Sequence, residues 1–177
     1  MVGVCLLGAS AHAQKVRLAT SMGDIVVELD AQKAPKSVDN FLKYVKAGHY
    51  DGTIFHRVIG TFMIQGGGYK SDLSEKPTRA PIPLESRNGL SNVRGSIAMA
   101  RTNDPQSATS QFFINVNDNL MLDQPNARDG EGYAVFGKVV EGMEVVDKIK
   151  AVPTAPSGPH QNLPASPILV RKATVEK

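Results

Sequence analysis

The chain has 177 residues, 41% hydrophobic and 21% charged, an ordinary globular composition rather than a disordered, fibrous or disulfide-stapled one. Its 20 Lys+Arg against 17 Asp+Glu leave a formal charge of +3, but the basic residues are scattered and aromatics are only 6%, which is not a nucleic-acid footprint. No apolar run approaches the ~18 residues of a membrane span, so neither a spanning segment nor a membrane anchor is expected.

Met1 to Ala13 carry no Lys, Arg, Asp or Glu. Val2 to Ala9 is apolar, and Ala11-His12-Ala13 has the small-x-small form that precedes a signal-peptidase cut. The charged start of a full signal is missing, so residues 1–13 read as the tail of a longer export signal and 14–177 as one domain. Export to the periplasm is the expectation; a frayed hydrophobic N-terminus on a cytoplasmic protein is the alternative. A cut after Ala13 would discard Cys5, the one cysteine, and a thiol-free chain suits an oxidising compartment. Cys5 fits a lipid anchor poorly, because Val2-Gly3-Val4 precedes it.

Val16–Thr20 and Ile25–Leu29 flank Ser21-Met22-Gly23-Asp24, a hairpin signal. Val38, Phe41, Leu42 and Val45 then form one helical stripe, with Pro35 at its start and Gly48 just past its end. β-like runs follow at Thr53–Ile59, Phe62–Gln65, Ser96–Ala100, Phe112–Val116, Val135–Val140 and Ile168–Val170. Met143–Lys150 is a second, shorter helix, with Val145, Val146 and Ile149 facing inward. Pro153 to Pro167, with five prolines, reads as a long ordered loop leading to a last strand over Pro167 to Val175. Many short strands split by Gly and Pro predict a barrel or a sandwich, and the two helices could plug a barrel's ends.

Conventional catalytic sets are nearly absent. His49, His56 and His160 are too scattered for a metal site, and neither an H-E-x-x-H nor a G-x-S-x-G motif occurs. Gly66-Gly67-Gly68 precedes a broken polar stretch rather than a helix, so it reads as a tight strand exit or a wall for a ligand, not a phosphate cradle. In a strand through Thr53–Ile59, Phe55, Arg57 and Ile59 share a face and His56 and Val58 take the other. Met63 and Gln65 share a face in the next strand, and adjacent Phe112 and Phe113 must point apart. An arginine among apolar neighbours needs a partner or a wet groove. The residues therefore predict a groove with one arginine, two glutamines and several apolar side chains, and leave its ligand open.

The run from Phe55 to Gly68 (FHRVIGTFMIQGGG), with GSIAMAR, SATSQFFINV and YAVFGKVVEGMEVVDKI after it, resembles the cyclophilin-type peptidyl-prolyl cis-trans isomerases, and its ordering is similar to their bacterial, exported subgroup. The resemblance covers Val16 to Glu176. It implies a mainly β fold: a closed eight-stranded antiparallel barrel capped by two α-helices. It implies catalysis of rotation about Xaa-Pro bonds, with proline-containing polypeptides as partners and no metal or cofactor. Arg57, Gln65, Phe62 and Phe113 match the family's catalytic positions: the arginine, the glutamine that supports it, and the wall of the proline pocket. Met63, Ala100, Arg101, Gln111, Leu122, Tyr133 and His56 make up the implied substrate-binding set, Arg101 through its backbone and His56 as a hydrogen-bonded structural histidine. Met121 stands where the family often has Trp, and Tyr133 aligns with its pocket histidine, so weak or no binding of cyclosporin is expected. A proline-peptide-binding chaperone with little turnover and a lipocalin-like small-ligand barrel are the rival readings, and a monomer is the expected state.

Overall fold

The structure is a computed structural model and describes residues 12–177. Residues 1–11, which hold Cys5 and most of the export-signal reading, lie outside the described residues.

β1 (Lys15–Thr20) and β2 (Gly23–Leu29) form the expected hairpin, with Val16, Leu18, Ile25, Val27 and Leu29 turned inward by the two-residue alternation. α1 (Pro35–Lys46) follows with Pro at its first turn and buries the stripe Val38, Phe41, Leu42 and Val45. Its N-cap, Ala34, has no side chain to offer the free amides. Glu85 supplies it from a distant loop, accepting hydrogen bonds from the Ser37 backbone N–H at 2.6 Å and the Ser37 hydroxyl at 2.7 Å, a charge that also suits the positive end of the helix. β3 (Thr53–Ile54), β4 (Arg57–Ile59), β5 (Met63–Gly66), β6 (Ser96–Met99), β7 (Phe112–Asn115) and β8 (Val135–Glu141) come next, then α2 (Met143–Lys150), which buries Val145, Val146 and Ile149. β9 (Thr154–Ser157), β10 (His160–Pro164) and β11 (Leu169–Val175) complete the chain.

Nine strands join in one antiparallel sheet in the order β3-β11-β1-β2-β8-β6-β7-β5-β4. Its two edges, β3 and β4, are consecutive in the chain and separated only by Phe55-His56, so the sheet curls round until its ends meet at one corner. This corrects the expected closed ring of eight: the run Thr53–Ile59, which reads as one strand, breaks in two. The break has a cause. The Ile54 N–H donates to the Tyr69 carbonyl and the Phe55 N–H to that of Ile168, while Phe55 is fully buried in the core with Val58. Phe55 therefore does not share the face of Arg57 and Ile59, as unbroken alternation requires.

The Pro153–Pro167 segment also differs from expectation. It is not a loop throughout: β9 and β10 pair as a separate two-stranded hairpin, with β10 lying against β4. Proline blocks strand pairing only where its missing N–H is needed, and a two-stranded ribbon has free edges for it.

The curled sheet and both helices enclose one core. Phe41 sits at its centre with ring centroids 5.2 Å from Tyr50, 5.6 Å from Phe112 and 5.2 Å from Phe136.

Candidate active site

The strands β8, β6, β7, β5 and β4 carry two sets of side chains. Phe136, Ile97, Phe112, Ile114, Ile64 and Val58 face the core. The alternate residues Val135, Ala98, Phe113 and Met63 face outward, yet they too are buried, in a second apolar cluster with Ala100. Ile59, Phe62, Leu90, Leu122 and Tyr133 pack around it half-buried, so the outer face of these strands carries an apolar patch with a buried centre and a partly exposed rim. Phe112 and Phe113 point apart as adjacent strand residues must, one into each cluster.

Arg57 stands on the edge strand beside this patch. Antiparallel register places it opposite Gln65, and Gln65 opposite Phe113. Arg57 Nη1 donates to Gln65 Oε1 at 3.3 Å, and Gln65 Nε2 donates to Gln111 Oε1 at 2.9 Å. Each amide is thereby fixed with its oxygen toward the next donor. Among the described residues Arg57 makes no ion pair, so its remaining N–H groups stay available. Gly68 lies under Gln111: a Cβ there would stand 2.6 Å from Gln111 Nε2 and 2.7 Å from its Cγ. Gly66 and Gly67 give β5 its tight exit: a Cβ at Gly66 would stand 2.9 Å from the Ile54 carbonyl oxygen, and one at Gly67, whose φ is +91°, 2.9 Å from Tyr50 Cε1.

The far rim is held by polar groups. Arg101 turns inward, its side chain 1% exposed, with Cζ 4.4 Å from the Tyr133 ring centre. It donates from Nε and Nη2 to the Gly132 carbonyl at 3.0 and 2.7 Å, and from Nη2 to Asp129 Oδ2 at 2.6 Å. That guanidinium, with the Glu131 and Gly132 N–H groups, holds the Asp129 carboxyl far below the usual carboxylate range. Tyr133 meets Phe113 edge-on at 5.7 Å. Met121, in the position the family often gives to Trp, is exposed and packs in neither cluster.

His56 departs from expectation. It is 5% exposed, but its Nδ1 has no hydrogen-bond partner, so the hydrogen-bonded histidine expected there is instead an imidazole packed at a tilt 4.6 Å from the Tyr69 ring and edge-on 5.7 Å from that of His160. Burial first, then the charges of His160 and Arg57, push its pKa down to about 4.

Of the eleven expected residues, Arg57, Gln65 and Gln111 form the polar chain, and Phe62, Met63, Ala100, Phe113, Leu122 and Tyr133 belong to the apolar patch. The Arg101 side chain supports the rim, and His56 lies behind the arginine. Sequence reasoning missed Ala98 and Val135, although their alternation with Ile97 and Phe136 marks them as outward-facing. It also missed a buried network in which Asn115 Nδ2 donates to Asn92 Oδ1 and Ser96 Oγ, and Asn119 Nδ2 donates to Asn115 Oδ1 and the Phe62 carbonyl. A cavity of about 660 Å³ opens beside Gln14, Leu29 and Val93, sharing Leu90 and Val135 with the patch but none of the polar chain.

A cation with spare donors beside an apolar patch can polarise an amide whose apolar ring packs next to it; the arrangement contains no paired nucleophile and base. Comparison with known proteins gives this chemistry a family. The cyclophilin type peptidyl-prolyl cis-trans isomerase family model matches residues 15–175. Peptidyl-prolyl cis-trans isomerase cyp18 of Streptomyces antibioticus is 56% identical over 161 residues, covering 90% of this chain and 97% of that protein. Peptidyl-prolyl cis-trans isomerase A of Dickeya dadantii is 56% identical over 169 residues, 96% of this chain and 88% of its own. The crystal structure of a cyclophilin type isomerase of Cryptosporidium parvum superposes with a TM-score of 0.77 at 28% identity, covering 94% of this chain and 99% of that one. With the family model matching residues 15–175, relatives 56% identical over most of the chain and a shared fold, the chain belongs to the cyclophilin-type peptidyl-prolyl cis-trans isomerases.

Proposed function

We propose that this isomerase accelerates rotation about Xaa-Pro bonds through Arg57, with the proline ring seated against the apolar patch at Phe62, Met63, Phe113, Leu122 and Tyr133. The observation that carries the reading is the arginine without an ion pair, held by Gln65 at the edge of an apolar patch.

A prolyl amide resists rotation because nitrogen lone-pair resonance gives it double-bond character, with a barrier of about 18–20 kcal/mol. In the twisted transition state the lone pair localises on a pyramidal nitrogen. A guanidinium N–H aimed at that nitrogen bonds the transition state better than the planar ground state, which is the condition for acceleration. Arg57 offers a rigid, planar donor fork carrying a positive charge. The apolar patch excludes water and holds the ring while the preceding carbonyl swings. An acceleration of about 10⁵ requires roughly 7 kcal/mol of such selective stabilisation. The roles of Gln65 and Gln111 are to aim the guanidinium, and no covalent intermediate forms.

Arg57→Ala tests this in a proline-isomer-coupled cleavage assay. The expected loss is about 10²–10³ in kcat/KM, the size of one lost transition-state donor, with the fold intact. Equal rates in the variant and the parent defeat the mechanism, and peptide binding without turnover in the parent favours a chaperone instead.

The finer parts of the reading are export to the periplasm, a monomeric state, folding clients as natural substrates, and weak or absent cyclosporin binding because Met121 offers no indole. Export is supported by Ala11-His12-Ala13 and by β1 beginning at Lys15, so that a cut after Ala13 removes no strand residue. Mass spectrometry of the native protein tests it: a mature chain starting at Gln14 supports export, and a retained Met1 defeats it.

A further inference from the structure

The β9–β10 hairpin is not used by the mechanism above, yet it lies against the strand that carries Arg57. Across the outer face of the sheet the order is Val135 on β8, Ala98 on β6, Phe113 on β7, Met63 and Gln65 on β5, then Arg57 on β4. The hairpin comes next, so Arg57 stands between the apolar patch on one side and the hairpin on the other. Between hairpin and strand is a second cavity of about 300 Å³, lined by His56, Arg57, Pro159, His160, Gln161 and Asn162.

The lining is distinctive in its chemistry. It holds a guanidinium, two imidazoles and two carboxamides, and no carboxylate. Side-chain N–H groups of Arg57, His160, Gln161 and Asn162 can converge there from both walls, with the His56 ring between them. His160 is fixed in place, its ring 4.9 Å from Tyr69 and 5.7 Å from His56, so the wall is preorganised rather than a free loop tip. A donor-rich, carboxylate-free hollow with a cation at its mouth suits an anionic acceptor.

We propose that this cavity is a side-chain subsite of the peptide groove, taking an Asp or Glu of the client a short distance from the proline, on the side where the chain leaves Arg57 toward the hairpin. Extended peptide advances about 3.3 Å per residue, so a side chain within a few positions of a proline seated beside Arg57 reaches the hairpin. The subsite rests on the placement of the proline given above and adds to it a sequence preference.

The test uses the full chain and a series of proline peptides with Ala at every flanking position, into which Glu or Lys is placed singly at each of the three positions on either side of the proline. The readout is the Glu-to-Lys ratio of kcat/KM, which cancels any change in overall turnover or folded fraction. One position is expected to favour Glu by about fivefold, chiefly through KM, with the preference shrinking as salt is raised. His160→Ala should bring that ratio to within about twofold, and Asn162→Asp, which places a carboxylate in the cavity, should reverse it. Turnover of the series without a charge preference, or a preference unmoved by both variants, overturns the subsite and leaves the isomerase reading standing. Failure to turn over even the all-alanine peptide overturns that reading and the subsite with it.

Discussion

The guanidinium of Arg101 lies flat enough over Tyr133 to bring Cζ within 4.4 Å of the ring centre, while Tyr133 presses edge-on against Phe113. Arg101 thus supports one wall of the proposed proline pocket from behind, and its two bonds to the Gly132 carbonyl fix the loop that carries the tyrosine. Lysine cannot reproduce the planar fork or the stacking. Arg101→Lys is expected to raise KM several-fold with a smaller change in kcat. Arg101→Ala also removes the packing of a buried stem and leaves the carbonyl unpaired, costing about 2 kcal/mol in a urea titration. A kcat lost with KM unchanged would mean that Arg101 acts on the reacting bond instead.

Gly68 provides a cleaner separation of site from fold. Its φ is not in the positive region that only glycine favours, so alanine strains no backbone there. The methyl would nevertheless stand on the Gln111 side chain, 2.7 Å from Cγ, and drive it away from Gln65. Gln65 then loses the acceptor that orients its amide, and Arg57 loses a fixed partner. Gly68→Ala is expected to lower kcat/KM about tenfold, the order expected when a reacting group is misaligned, while the thermal midpoint stays within a few degrees. A crystal structure of the variant with Gln111 still bonded to Gln65 would contradict the relay.

Most of this architecture is visible in the residues because strand alternation and helical stripes are local signals. Met63 and Gln65 share a face, Phe112 and Phe113 part company, and Pro35 opens a helix, all as short-range geometry requires. What was hidden depends on contacts distant in the chain. The corner at Phe55-His56 follows from bonds to Ile168 and Tyr69, and no neighbour of Phe55 announces it. The β9–β10 ribbon was concealed by its prolines, which are compatible with a free-edged pair. Asn92, Asn115 and Asn119 carry no motif, since Asn92 and Asn115 meet across 23 positions. Asp129, the charge partner of Arg101, likewise lies 28 positions away.

That asparagine network yields a third prediction. Asn115 is fully buried and both donates and accepts, linking Asn92 and Ser96 to Asn119, whose amide holds the Phe62 carbonyl. Asn115→Leu fills the space but leaves Asn92 Oδ1 and Ser96 Oγ without the Asn115 donor, and Asn119 Nδ2 with the Phe62 carbonyl alone. Leaving buried polar groups unpaired costs about 1–3 kcal/mol each, so a loss of about 3 kcal/mol is expected in chemical denaturation. Phe62 is loosened in the same step, so KM for proline peptides should rise in the fraction that remains folded. Stability within 0.5 kcal/mol of the parent, a change of about the size of a neutral surface substitution, would show that the network is dispensable.

Acid sensitivity follows from His56. Its ordinary pKa of 6.5 falls to about 4 in the folded chain, chiefly because burial strips water from the imidazolium, and then because His160 and Arg57 repel its charge; Tyr69 faces it on the remaining side. Between these two values the unfolded chain holds a proton that the folded chain lacks, so stability decreases as pH falls through the window from about 6.5 to about 4. Above pH 6.5 this group adds no slope. At about 1.4 kcal/mol per pH unit, the full loss by the acid end is about 3 kcal/mol. His56→Gln, which cannot take up the proton, should flatten this part of the stability curve even if it shifts the whole curve by a constant. Urea midpoints for both chains between pH 7 and pH 4 provide the comparison. The difference between them is expected to be constant at the neutral end and to move in favour of the glutamine chain toward acid. Parallel curves throughout would mean that the imidazole takes up its proton without cost in the folded state, and that its buried position beside Arg57 is not what limits acid stability.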